Sequence, residues 1–257
     1  MSDAVPTQTL PKIGLQLYTL RDRADQDLDG VLQDIRAIGY LGVAPSSFHG
    51  KTPTWFKHRA AELGLDIPSS HAGLPVRDDA ERILHDHAEL GSPVIYISLG
   101  RAHFESDETV GAAADSLNEA ARLAADYGLR LGYHNHWYEF SSRVDGRPAY
   151  DLLVDRLDPV VLTEVDIYWA QVGGTDPIGL VARLGNRVQH LHVKDGPADL
   201  ESAMTAVGQG NVDITATLEA NPHVRWHLVE LDRCDTDLTE AVRDSYTWLV
   251  GHGLSLG

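Results

Sequence analysis

Short apolar runs alternate along this chain with longer stretches in which apolar residues return every third or fourth position. The first period suits a strand and the second a helix packed on one face. Ile13 to Tyr18 reads as a strand, after which Leu28, Val31, Leu32, Ile35 and Ile38 share a helical face that stops at Gly39, a glycine end signal. The unit then recurs. Leu41 to Ala44 precedes Phe56, Ala60 and Leu63, closed by Gly64; Leu65 to Pro68 leads into SSHAG and a helix on Ala80, Ile83, Leu84 and His87, closed by Gly91. Pro93 to Ser98 is a fourth strand, followed by a helix on Val110, Ala114, Leu117, Ala121 and Ala124 that ends at Gly128. The fifth strand opens at Leu129 and runs into YHNHWYEF; Val160 to Val165, Arg187 to Val193 and Trp226 to Leu231 make strands six to eight. Helices on Tyr150 to Leu157, Leu180 to Leu184, Ile214 with Leu218, and Leu238 to Leu249 follow strands five to eight.

Eight strand–helix units, about thirty residues apart, imply parallel pairing with right-handed crossovers. The predicted fold class is α/β, a single (β/α)8 TIM barrel spanning residues 1–257, with a loose N-terminal segment at 1–12. An open doubly wound sheet would call for a glycine-rich phosphate turn after the first strand. The sequence there, LYTLRDRAD, has none.

Composition narrows the function classes. Hydrophobic residues at 43% and charged residues at 23% are ordinary for a globular protein, which excludes disordered and fibrous classes. Lysine and arginine number 21 against 38 acids, for a formal charge of −17, which opposes nucleic acid and anionic lipid. A single cysteine, Cys234, makes no intrachain disulfide and calls for no oxidising compartment. The opening MSDAVPTQTLPK lacks the basic and apolar regions of a signal peptide, and no apolar run reaches membrane-spanning length, so a cytoplasmic protein is expected.

A parallel barrel gathers the C-terminal ends of its strands on one face, so residues that end successive strands become neighbours. His134, His136 and Glu139 follow strand five; Asp166, with Tyr168 and Trp169, follows strand six; His192, with Lys194 and Asp195, ends strand seven; Glu230, with Asp232, ends strand eight; His71 follows strand three. Singly, each has a plain explanation: Asp166 as a helix cap, His192 as a hydrogen-bonded core histidine, Glu230 as a partner of Arg233. Jointly they do not, because buried carboxylates need partners or a cation. Three carboxylates and one imidazole make a hard, oxygen-rich set that favours manganese, magnesium, cobalt or zinc.

Six ordered blocks, IGLQLYTLRD, YHNHWYEF, LTEVDIYW, HLHVKDG, AVGQGNVDI and LVELD, resemble the xylose-isomerase-like TIM-barrel superfamily across nearly the whole chain. The nearest branch is that of the sugar phosphate isomerases/epimerases, with inosose dehydratase relatives. The resemblance implies a divalent cation held by strand-end acids and a histidine, acting on sugars, keto-sugars or cyclitols. It carries Asp166, His192 and Glu230 onto the metal-ligand positions of strands six to eight. Many superfamily members place a glutamate where His134 stands; the fourth ligand expected is Glu139, with a histidine of the HNH triplet as the alternative. Ala44 and Gln209 stand where glutamate is common, departures that bear on the substrate and not on the metal set.

The expected function is a divalent-metal-dependent isomerase or epimerase of a sugar, keto-sugar or cyclitol, abstracting a proton next to a carbonyl through a metal-stabilised enediolate. Manganese is the first choice of cation, with magnesium, cobalt or zinc as alternatives. Glu139 or Glu230 doubles as base, and Lys194 stabilises the enolate or protonates a departing hydroxyl; the plainer reading of Lys194 is a solvated surface lysine. His71 and His136 are expected to contact substrate hydroxyls, with Trp169 and Tyr18 as apolar walls. Expelling a β-hydroxyl would instead give an inosose-dehydratase-like lyase, and a non-catalytic sugar-binding barrel is the rival from another class. A metal-dependent abasic-site endonuclease of the same superfamily is opposed by the charge. The partner expected is thus a small sugar or cyclitol, with no nucleic acid and no membrane, and a homo-oligomer is left open.

Overall fold

Eight parallel strands form the frame of the computed structural model, which describes residues 9–257. They are β1 (Lys12–Gln16), β2 (Gly42–Ala44), β3 (Ser70–Ala72), β4 (Val94–Ile97), β5 (Arg130–His134), β6 (Leu162–Asp166), β7 (Val188–Val193) and β8 (Trp226–Val229). β1 pairs with β8 through Ile13 against His227 and Leu15 against Val229, which joins the two ends of the chain in one sheet. Pairing continues from β8 through β7, β6, β5 and β4 to β3, and β2 lies on the other side of β1. The seam between β2 and β3 has no regular ladder. Backbone bonds of 2.9 Å from Val43 N–H to Asp66 O, Asp66 N–H to Leu41 O and His71 N–H to Pro45 O span it, leaving a nearly closed barrel.

The helices start where side chains can take up their free N–H groups. Thr52 caps the helix Pro53–Leu63, Ser106 and Thr109 form a reciprocal capping box for Asp107–Asp126, and Asp176 and Asp237 cap Pro177–Leu184 and Leu238–Gly251. Helix Asp107–Asp126 buries Val110, Ala113, Ala114, Leu117, Ala121 and Ala124, a mostly small-residue face that lets it lie close on the sheet. None of the described helices is long and apolar enough to cross a membrane.

Four strands differ in their bounds from the sequence expectation, and each difference matters to the site. The third strand is Ser70–Ala72, not Leu65 to Pro68: Pro68 has no N–H to donate, and Asp66 instead bridges to Gly42. His71 therefore sits inside the strand. β1 stops at Gln16 and Leu17–Leu20 forms a 3-10 turn, which carries Tyr18 to the barrel mouth. β6 extends to Asp166, and β8 ends at Val229, one residue before Glu230. Residues 1–8, where most of the expected loose segment falls, lie outside the described residues, while Lys12 already belongs to β1.

Side chains two apart on a strand share a face. Glu164 and Asp166 on β6, and His190 and His192 on β7, follow that rule into the barrel interior, where all four are buried. Tyr96 from β4 meets His190 there, its hydroxyl 2.7 Å from Nδ1. Gly132 on β5 makes this possible, since a Cβ at that position would collide with the Tyr96 ring.

Candidate active site

Asp166, His192 and Glu230 meet at the carboxyl ends of β6 to β8, and His134, the last residue of β5, completes the group. One donor atom from each lies within 4.8 Å of the others, and all four residues are buried. Asp166 divides its carboxylate: Oδ1 accepts the Trp169 N–H at 2.8 Å and so caps the short helix Ile167–Val172, leaving Oδ2 for the site. Asn135 ties the neighbouring strand ends together, accepting the Asp166 N–H at 3.1 Å and donating to the Asp166 carbonyl at 3.2 Å. His192 Nδ1 stands 2.7 Å from Glu230 Oε2. Lys194, which is buried and not a solvated surface lysine, brings its ammonium to 3.0 Å from Asp166, 2.9 Å from Glu230 and 2.8 Å from Asp232.

Burial and charge pull against each other throughout. Burial outweighs Lys194 at Asp166, whose carboxyl is pushed up to about 6. Burial works the same way on Glu230, but there Lys194 and His192 win and hold it well below the usual carboxylate range. For His192 burial favours the neutral ring, yet Glu164 and Glu230 lift it to about 10. Lys194 is likewise kept charged by Asp166, Glu230 and Asp232 against its burial. Burial, helped by His192, holds His134 well below the ordinary histidine range and leaves it a neutral donor.

These residues suit a divalent cation. Asp166 Oδ2 is buried and has no hydrogen bond, although Lys194 lies near it. Together with Glu230 and two imidazoles it offers a mixed oxygen and nitrogen set that fits manganese, cobalt or zinc better than an all-oxygen ion such as calcium.

Glu139 stands apart from this group, against the expectation that it supplies a ligand and a base. Its Oε1 accepts the Tyr133 hydroxyl at 2.6 Å, and both of its oxygens are 3.0 Å from the His136 N–H. Five residues beyond the end of β5, in the short helix Tyr138–Ser141, its carboxylate folds back onto its own loop. Burial raises its pKa to about 7. The strand-five donor in the cluster is His134, the alternative within the HNH triplet.

A cavity of about 280 Å³ opens over the cluster, lined by Tyr18, His71, His134, His136, Lys194, Glu230 and Asp232 with Gln16, Ser46 and Ser98. Tyr18 forms a wall at its mouth, with the Arg21 guanidinium 4.2 Å from its ring centroid. Trp169 does not line it; Lys194 comes between, its ammonium 5.6 Å from the indole centroid. Glu164 was not singled out from the sequence. It lies two residues before Asp166 in LTEVD and touches His71, His134 and His192. A charged residue at the inward phase of a strand was the available signal.

The loop after β7 is organised by Asp195, whose carboxylate accepts backbone N–H groups of Gly196, Gly208, Gly210 and Val212 at 2.9 to 3.2 Å. Those bonds fold the AVGQGNV segment against the barrel and keep Gln209 out of the cavity lining.

The profile of a family described as xylose isomerase-like TIM barrel matches residues 32–249. Inosose dehydratase of Clostridium beijerinckii is 28% identical over 167 residues, 57% of this chain and 55% of that protein. Inosose dehydratase of Geobacillus kaustophilus is 23% identical over 265 residues, 86% of this chain and 83% of that protein. The chain thus spans about half the length of the first relative and most of the second. A solved sugar phosphate isomerase/epimerase from Parabacteroides distasonis has a TM-score of 0.81 at 23% identity, covering 99% of both chains. The IolI protein, solved with a zinc atom, has a TM-score of 0.70 at 15% identity, covering 93% of this chain and 97% of that one. At these identities the two structures speak to the fold alone.

Proposed function

The chain belongs to the xylose isomerase-like TIM-barrel family, and from that premise we propose a divalent-metal-dependent isomerase or epimerase that removes a proton next to the carbonyl of a sugar, keto-sugar or cyclitol. The observation that carries this reading is the convergence of His134, Asp166, His192 and Glu230 under a cavity whose wall also holds Lys194. Those four residues would hold the cation, which when bound would supply a Lewis acid for the substrate carbonyl oxygen. Manganese is our first choice, with cobalt, zinc or magnesium as alternatives.

The protein's own groups divide the remaining work. Glu230 faces the cavity and is kept ionised by Lys194 and His192, so it is available to accept the carbon-bound proton. Lys194 stays charged and can donate to the oxygen on which charge develops, or to a hydroxyl that leaves. His71 and His136 line the same cavity and offer hydrogen bonds to substrate hydroxyls, while Tyr18 gives an apolar wall.

Returning the proton to carbon completes an isomerisation or epimerisation; losing a β-hydroxyl instead gives a lyase. The inosose dehydratase relatives favour the second outcome, and it stands as the alternative reading. Incubating the metal-loaded protein with a panel of ketoses and inososes in deuterated water separates the two. Carbon-bound deuterium without loss of water is the result expected of the isomerase or epimerase, and an ultraviolet-absorbing enone marks the lyase. A chain that does neither with any member of the panel, though metal-loaded, would contradict the reading.

A further inference from the structure

Glu164 has no part in the chemistry so far, yet three imidazoles turn toward one of its oxygens. On β6 it faces the barrel interior like Asp166, one strand repeat deeper, and it is fully buried. His71 Nε2 lies 2.6 Å from Oε2 in a hydrogen bond, His192 Nε2 lies 3.1 Å away and His134 Nδ1 3.2 Å away. Those last two are close ion-pair contacts and not formed hydrogen bonds: His192 Nε2 and His134 Nδ1 are buried with no hydrogen-bond partner, as is Glu164 Oε1. His134 and His192 are also members of the four-donor group, and His192 turns its opposite edge, Nδ1, to Glu230.

We propose that Glu164 is a positioning residue for the metal centre, the shared acceptor that fixes which ring nitrogen of each histidine carries a proton. With a cation bound, the remaining proton of His192 would stay on Nε2 and that of His134 on Nδ1, both facing Glu164, which would leave His192 Nδ1 and His134 Nε2 free to ligate it. A histidine ligand is oriented and made more basic by such an outer carboxylate. One acid here serves two ligands and, through His71, a cavity wall as well. The inference rests on the metal-dependent reading above.

The same four residues, His71, His134, Glu164 and His192, also satisfy the spacing for a second ion. Two features favour the outer-acceptor role. Donors about 2.0 Å from a tetrahedral ion stand about 3.3 Å apart, whereas His71 and Glu164 are at hydrogen-bonding distance, 2.6 Å. A second ion would also require His134 and His192 each to give up both ring protons and bridge two metals.

Zinc titration of the full chain, wild type beside Glu164→Gln and Glu164→Ala, tests the proposal, with metal content measured per chain and imidazole 15N spectra recorded on the zinc-loaded proteins. The wild type is expected to take up one ion per chain and to show slowly exchanging ring protons on His192 Nε2 and His134 Nδ1. Glu164→Gln, which keeps the shape and one acceptor oxygen, should bind zinc about 10-fold more weakly, and Glu164→Ala about 100-fold. Both should lose or shift the two ring-proton signals. If the wild type binds one ion and the variants bind it equally well with unchanged signals, the role of Glu164 is refuted while the metal centre stands. Two ions in the wild type, one of them lost in Glu164→Gln, would replace the proposal with a second metal site. Failure of the wild type to bind any ion would overturn the proposal together with the metal-dependent reading.

Discussion

Tyr133 gives its hydroxyl to Glu139 at 2.6 Å, and that bond turns the Glu139 carboxylate away from the strand-end cluster. The same carboxylate receives the His136 N–H. It acts as the clasp of the loop after β5, which carries His136 to the cavity. Glu139→Ala should therefore leave divalent-ion stoichiometry unchanged while lowering stability by about 2–4 kcal/mol, because the buried Tyr133 hydroxyl and the half-buried His136 N–H lose their acceptor. Urea unfolding with metal analysis checks this. Loss of the ion at unchanged stability would show that Glu139 is a ligand after all.

Asp166 holds two positions at once, as helix cap and as site carboxylate. Asn can cap a helix nearly as well as Asp but brings no charge. Asp166→Asn should thus keep its unfolding midpoint within a few degrees of wild type in chelator, yet bind manganese at least about 100-fold more weakly. Isothermal titration of the two proteins makes the comparison, and wild-type affinity in the variant would remove Asp166 from the site.

Lys194 is the ammonium around which Asp166, Glu230 and Asp232 gather. Replacing it by methionine leaves those carboxylates without their cation, a loss of about 3–5 kcal/mol for a buried pair broken on one side. A divalent ion in the same place should recover part of that loss, since a ligand that binds only the folded state stabilises it. The expected pattern for Lys194→Met is a large fall in unfolding temperature in chelator, a smaller one with manganese, and turnover reduced more than metal affinity. Equal destabilisation with and without metal would contradict it.

Histidines remote from the cluster predict an acid limit. Burial holds His87 neutral down to about 4 and His227 down to about 3. The unfolded chain takes up these protons near pH 6.5, so it binds more protons than the folded chain in between. Their contribution is complete above about pH 6.5 and is lost as pH falls toward the folded values, about 2 kcal/mol for each by pH 5. Denaturant unfolding from pH 7 to pH 5 should show this slope, and His227→Gln should flatten it; a variant with the wild-type slope would clear His227 of any role.

Asp166, His192 and Glu230 were legible in the sequence because parallel topology alone makes neighbours of successive strand ends. The alternation of strand and helix, with glycines at helix ends, was enough to find that topology. What escaped was decided by rotamers and by one-residue steps in register. Glu139 lies in the right loop, but the Tyr133 hydroxyl and the His136 N–H claim its carboxylate, and no periodicity signals that. His134 took the strand-five place because β5 ends on it. Glu164 sits within an apolar run whose two-residue period points it inward; its three histidine partners come from β3, β5 and β7 and meet only when the barrel closes. The third strand was displaced because Leu65 and Ile67 alternate as on one face of a strand, although Pro68 cannot donate to a ladder.

Manganese-soaked crystals measured at the manganese absorption edge test the central claim most directly. One anomalous peak is predicted per chain, about 2.0–2.3 Å from a nitrogen of His134 and of His192 and from an oxygen of Asp166 and of Glu230, with Glu139 still bonded to Tyr133. A peak held by Glu139, or none at the strand ends at saturating manganese, would contradict it.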